Sequence, residues 1–237
     1  MARPLPLFCC LALAAAVSTA FCAPAAAAGP GWPDTPLARV EVEAILQSLE
    51  SALLSHDSAT LVLDDWCTRH RLAPPGTTII AERVHGEDKP ITIDQRRVLH
   101  VGDTDAVRYR RVRLRCGAHV LSEADNWYVP ARLTPEMNTA LDSTDVAFGR
   151  AVQALHFRRQ TLSARLLWSP LPADWHSRAT AISRAPALRH ATDAMPIPDR
   201  LIENRAILVL PDGTPFSEVV ETYTAEILAF APPAFAP

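Results

Sequence analysis

Lysine is almost absent: Lys89 stands alone among 23 basic residues, the rest being arginine. With abundant alanine and proline, that skew reads as a composition bias and carries no functional weight. Glycine is sparse too, at eight residues, and none of them builds a Gly-rich phosphate loop or a G-x-S-x-G elbow; H-E-x-x-H is also missing. Nucleotide, serine-hydrolase and zinc-protease chemistry therefore have no anchor. Of five cysteines, Cys9, Cys10 and Cys22 belong to the N-terminal leader described below, which leaves Cys67 and Cys116. Two cysteines allow one disulfide or two buried thiols, not a disulfide scaffold. No later segment nears the ~20 uninterrupted apolar residues of a membrane-spanning helix.

What is present begins with residues 1–28. Arg3 is their only charge, the apolar run LPLFCCLALAAAV follows, and small residues close the segment, the pattern of a secretory signal peptide. Cleavage after Ala23 or Ala28 satisfies the small-residue rule, so the mature protein is expected to be exported, periplasmic or secreted. Residues 29–237 then form one domain of ordinary size. Without Arg3 the chain carries 22 basic and 26 acidic residues, a mild acidity that argues against nucleic-acid or anionic-lipid partners. A monomer is expected.

Leu37, Val40, Ile45, Leu46, Leu49, Leu53 and Leu54 recur at helical spacing, and ATLVLDDWCTRH carries a second helical pattern. TTIIAERV is β-branched and reads as a strand, followed by a polar loop to about residue 104. DAVRYRRVRLRC and HVLSEADNWYVP form a hairpin across Gly117 and Ala118. In LTPEMNTAL, Thr134 and Pro135 are placed as N-cap and first residue of a short helix. FRRQTLSARLLW is another strand, residues 169–200 a surface excursion, and ENRAILVL and PFSEVVETYTAEIL a second hairpin turned by Asp212 and Gly213. Helices first and long hairpins after them give an α+β fold on one antiparallel sheet.

The candidate chemistry lies in YRRVRLRC. In an extended strand Tyr109, Arg111, Arg113 and Arg115 share one face, and Arg110, Val112, Leu114 and Cys116 the other. The second face is apolar, so Arg111, Arg113 and Arg115 are expected to be solvated and paired with carboxylates across the hairpin, such as Glu123 or Asp125. An arginine turned toward a cavity would instead clamp a carboxylate through its planar fork. Cys67 and His70 form a Cys-x-x-His without the further ligands a zinc site needs. Trp127 and Tyr128 read as packing residues.

Four stretches, LDDWCTRH, RVRLRCGAHVLSEADNWYVP, VAFGR and AILVLPDGTPFSEVVETY, come in an order that resembles the chorismate pyruvate-lyase family and its relatives, the ligand-binding domains associated with certain transcription regulators. The resemblance implies a six-stranded antiparallel sheet, helices over one face, and an enclosed ligand. It places the carboxylate-holding arginine on Arg111, or on Arg110 if the strand carries a one-residue bulge or slip. It puts ligand contacts on Cys67, on Phe148 and on Gly149 in the Ala147–Arg150 turn, and the catalytic carboxylate on Glu221, with Glu218 as the other candidate. The implied activity is elimination of pyruvate from chorismate to give 4-hydroxybenzoate, without metal or cofactor, Glu221 acting as general acid with a pKa raised by burial. Export away from the cytoplasmic supply of chorismate supports the rival expectation, a non-catalytic module that binds a small aromatic carboxylate in the same pocket.

Overall fold

The computed structural model describes residues 31–175 and 194–232. The expected leader, and residues 176–193 of the expected excursion, lie outside them. Helix α1 spans Pro36–Ser55: Thr35 caps it by accepting from the Ala38 amide, Pro36 opens it, and Val42, Leu46, Leu49 and Leu53 fall on one face and are fully buried. Each such side chain contributes about 1.5–3 kcal/mol by leaving water. Helix α2, Ala59–Arg69, buries Leu63, Trp66 and Cys67 from the same side. Helices α4, Pro135–Ser143, and α5, Phe148–Ala151, complete that layer. Thr134 and Pro135 take the expected cap and first positions of α4.

The strands are β1 (Ile80–Arg83), β2 (Arg108–Cys116), β3 (His119–Tyr128), β4 (Arg158–Leu166), β5 (Arg200–Val209) and β6 (Pro215–Thr224). They form one antiparallel six-stranded sheet in the order β1-β2-β3-β6-β5-β4. The fold is thus α+β as expected. Gly117 turns β2 into β3 at a φ of 57°, a conformation that costs most other residues energy. The last four residues of PFSEVVETYTAEIL leave the sheet for a 3-10 turn, Ala225–Leu228, capped by Thr224.

The two faces of the sheet differ in chemistry. The inner face carries Val112, Leu114, Leu121, Ala124, Ile202, Ala206, Val219 and Tyr223, all buried under α1 and α2. The outer face carries charges in cross-strand pairs: Arg111 with Glu123 at 3.4 Å, Arg113 with Glu123 at 3.8 Å, and Arg115 with Glu82 at 2.7 Å. The stretch assigned to a polar loop contains a further helix, α3, Ile93–Val98. It is only six residues long, and its start is marked by a capping box: Thr92 accepts from the Gln95 amide while the Gln95 side chain accepts from the Thr92 amide. Leu99 and the flanking Ile91, Val101 and Val107 pack it on Trp127, Val129, Tyr109 and Val220, so part of the outer face is covered as well.

Cys67 and Cys116 are joined, with Cα atoms 6.0 Å apart, which pins α2 to the end of β2. At the C-terminal end of α2, His70 lies against Trp66, ring centroids 4.2 Å apart, and stacks on Phe230 at 4.0 Å. Burial, and then the Arg69 charge, hold the His70 pKa below its ordinary 6.5.

Two outcomes are expected. Replacing both Cys67 and Cys116 by alanine lowers unfolding free energy by roughly 2–4 kcal/mol, because the bond closes a loop of 49 residues in the unfolded chain; a chemical-denaturation curve reads this directly. Above 6.5, His70 is neutral in both folded and unfolded chains; below 6.5 the unfolded chain takes up the proton first. Stability therefore falls as pH drops from 6.5 toward the lower folded-state value, and His70→Asn flattens that part of the melting-temperature profile.

Candidate functional site

The apolar inner face is interrupted where β2, β3 and β6 pass under the start of α2. A cavity opens there, bounded by Asp57, Ser58 and Thr60 of the α2 start, by Phe148 and Gly149 of α5, by Phe157, and by Arg110, Asn126 and Glu221 of the sheet. Water-sized molecules have about 40 Å³ for their centres, several times the ~10–15 Å³ that a single water needs. Val112, Leu114, Ala124 and Val219 supply the apolar floor.

Arg110 is the dominant group. It is 3% exposed, and its Nη2 donates to the Val146 carbonyl at 3.0 Å. Its Nε and Nη1 are buried without a hydrogen-bond partner. Among the described residues no carboxylate forms an ion pair with it. Burial, and then the charge of Arg83, push its pKa down to about 10, so it stays cationic at neutral pH. A buried, unneutralised guanidinium costs several kcal/mol unless something pairs with it.

The second polar group is already satisfied. Glu221 accepts from Arg159 Nη2 at 2.6 Å and from the Tyr223 hydroxyl at 3.1 Å. The Arg159 and Glu221 side chains are 4% and 7% exposed, a buried ion pair. Burial raises the Tyr223 pKa well above 10, reinforced by the Glu221 charge, so the hydroxyl keeps its proton and donates it. For Arg159, burial favours the neutral form, but the Glu221 charge and hydrogen bond outweigh it and hold the guanidinium above its ordinary value. The buried charges here are thus two cations, Arg110 and Arg159, against one carboxylate, Glu221, while the exposed Asp57 carboxylate also borders the cavity and brings the overall count level.

The start of α2 adds donors. Ser58 occupies the N-cap position, yet its side chain does not cap the helix and its Oγ is buried without a partner. Helix N-termini attract anions through their free amides. Gly149 lets α5 approach this turn: a β-carbon there would lie 2.8 Å from Ser58 Oγ and 3.3 Å from Thr60 Oγ1. Arg150 fixes the approach by bonding Asp64 of α2 at 2.6 Å and the Ile79 carbonyl at 3.0 Å.

Of the residues named from sequence, the structure brings Phe148, Gly149 and Glu221 together around the cavity. Arg111 is not among them. It points to the outer face, where it bonds Glu87 at 2.6 Å. Strand parity decides this, because Val112, Leu114 and Cys116 must be buried and Arg110 shares their side. The irregularity in the β2–β3 pairing lies between Leu114 and Arg115, too late to move Arg111 inward. Cys67 is held in the core disulfide and does not line the cavity. Glu218 sits on the outer face, fully buried, bonded to Gln95 and Arg205. The sequence reading missed Ser58, Asn126, Arg159 and Tyr223. Arg159 carried a usable signal, since it follows the apolar Phe157 by two positions, but the bulge between Thr161 and Ser163 breaks the alternation of β4 that would have exposed it.

Among the described residues, no group of three or more His, Cys, Asp or Glu side chains is placed to hold a metal ion. No helix among them is long and apolar enough to cross a membrane.

No family model matches the chain. Similar solved structures include PhnF from Mycobacterium smegmatis, with 12% identity, a TM-score of 0.46, and coverage of 78% of this chain and 71% of that one. The effector domain of the same protein gives 11% identity, a TM-score of 0.45, and coverage of 72% and 90%. In sequence, the chain is 54% identical over 208 residues to the "Uncharacterized protein y4mC" of Sinorhizobium fredii, covering 87% of this chain and 84% of that protein. With that identity sustained over nearly the whole of both chains, it belongs to the same protein family as y4mC.

Proposed function

We propose that the protein is an exported binding module for a small, singly charged organic acid with an apolar, aromatic body, held in the inner cavity with Arg110 as its counter-ion. The observation that carries this reading is the Arg110 guanidinium, 3% exposed, cationic, and with Nε and Nη1 unpartnered. A carboxylate that accepts from it supplies the missing charge, and the α2 start with Ser58 supplies further donors. With Arg159 already paired to Glu221, the one guanidinium left without an ion-pair partner favours a monoanion over a dianion. Phe148, Phe157 and Val219 suit the body of an aromatic acid. Export is supported by the leader pattern at residues 1–28 and by the buried disulfide, a bond that persists in oxidising compartments.

The lyase reading keeps one observation in its favour, that Glu221 faces the cavity. Its Oε2 already accepts from Arg159 at 2.6 Å and from the Tyr223 hydroxyl at 3.1 Å, so that oxygen is engaged by the protein and not turned to a ligand. A general acid must instead carry a proton to the departing enolpyruvate. Binding therefore accounts for the geometry better than elimination.

Three results are expected. In calorimetric titration with benzoate and 4-hydroxybenzoate, Arg110→Met weakens binding by about 30-fold or more, the usual cost of removing one partner of a buried charge pair, while Arg111→Ala changes it by less than about twofold; equal binding by parent and Arg110→Met would overturn the reading. Without ligand, Arg110→Met is more stable than the parent by roughly 1–3 kcal/mol, because an uncompensated buried charge has been removed. Incubation with chorismate yields no pyruvate above a protein-free control; pyruvate and 4-hydroxybenzoate rising together, and lost in Glu221→Gln, would establish the lyase instead.

A further inference from the structure

The second glutamate singled out on β6 marks another site, on the opposite face of the sheet. Glu218 is completely buried although it belongs to the charged outer face. Its Oε1 accepts from Arg205 Nε at 2.8 Å and from Gln95 Nε2 at 3.3 Å. Gln95 is not free to choose: its own Oε1 is engaged by the amide and hydroxyl of Thr92 in the α3 cap, which aims its Nε2 at Glu218. Both donors fall on one oxygen, and Oε2 is buried with no partner. A carboxylate oxygen left bare in this way is a position where a donor is missing.

The missing donor has a place to come from. Between α3 and the uncovered part of β4 and β5 runs a groove of about 680 Å³, with Glu218, Arg205 and Val220 among its lining residues and Trp127 and Pro90 at one side. Arg205 gives only its Nε to the protein; among the described residues nothing accepts from its Nη1 or Nη2. One buried, unpartnered acceptor thus lies beside a part-exposed guanidinium whose two Nη atoms make no bond to the described protein. The charges of the groove cancel, with Lys89, Arg165 and Arg205 against Asp94, Glu203 and Glu218. Lys89, Arg165 and Asp94 are moreover occupied by Asp125, Glu203 and Arg97. The complement of such a groove is neutral overall and carries a donor next to an acceptor. Charge-assisted contacts at both ends are the stronger choice, and the guanidinium fork fits a carboxylate.

We propose that this groove is a second binding site, for a small zwitterion of the amino-acid type whose ammonium group donates to Glu218 Oε2 and whose carboxylate accepts from the Arg205 guanidinium. Pro90, Trp127 and Val220 receive an apolar side chain. The site is separated from the inner cavity by the thickness of the sheet, so it does not depend on the ligand assigned to Arg110.

The test is calorimetric titration of the purified full chain with L-leucine, beside 4-methylpentanoate, which lacks the ammonium group, 3-methylbutylamine, which lacks the carboxylate, and glucose, a neutral polyol. Leucine is expected to bind, and both truncated analogues to bind at least tenfold more weakly. Glu218→Gln is the direct variant, but it removes the buried partner of Arg205 and endangers folding. Ser163→Trp fills the groove from the exposed strand β4 and leaves that pair intact; it abolishes leucine binding, whereas Arg110→Met leaves it unchanged. No leucine binding, leucine binding that survives Ser163→Trp, or glucose binding in place of leucine would each overturn the proposal.

Discussion

An antiparallel strand turns successive side chains to opposite faces, and in this sheet the alternation separates two kinds of chemistry. Val112, Leu114 and Cys116 are buried inward, while Arg111, Arg113 and Arg115 are paired outward. The same period carries Arg110 to the largely apolar inner face, where among the described residues no carboxylate forms an ion pair with it. Sheet order places Asn126, Val219 and Ala206 in register beside it, and Ala124, Glu221 and Asn204 in the next row of that face. Cavity, buried ion pair and charged outer lattice are all consequences of that one register.

The inner site combines two solutions to burying charge. Arg159 and Glu221 neutralise each other at 2.6 Å, although Arg159 Nε stays without a hydrogen-bond partner. Arg110 has only the Val146 carbonyl and keeps a full positive charge. Stability alone would favour an apolar residue there, so the unpaired arginine costs folding energy that the ligand proposed above would offset. Helix α2 completes the site. The disulfide from Cys67 to Cys116 ties its second half to the sheet, while Asp64 and Arg150 tie it to α5, which leaves the first turn and Ser58 facing the cavity.

Two buried glutamates three residues apart on β6 illustrate how position rather than residue type sets chemistry. Glu221 meets Arg159 and Tyr223 inside the sheet, and Glu218 meets Gln95 and Arg205 outside it. An odd separation in an extended strand guarantees opposite faces. Only one of them was ever available to the inner cavity, and the other stands at a groove of different character.

The sequence by itself determined the α+β architecture, because helical spacing in residues 37–54 and β-branched alternation in the hairpins are local properties that burial merely reads out. It also determined the split of YRRVRLRC into an inward and an outward face, which placed Arg110 inward more reliably than an ungapped match of motifs that favoured Arg111. Helix α3 escaped notice because six residues give too few turns for a periodicity, and Arg159 because a bulge interrupts the alternation of β4. Tertiary structure alone decided that Cys67 pairs with Cys116, that Glu221 is neutralised by an arginine 62 residues away, and that Arg110 is left with two unpartnered nitrogens. Those three outcomes depend on which distant groups the folded chain brings within hydrogen-bond reach, a matter of distance in space that no local pattern encodes.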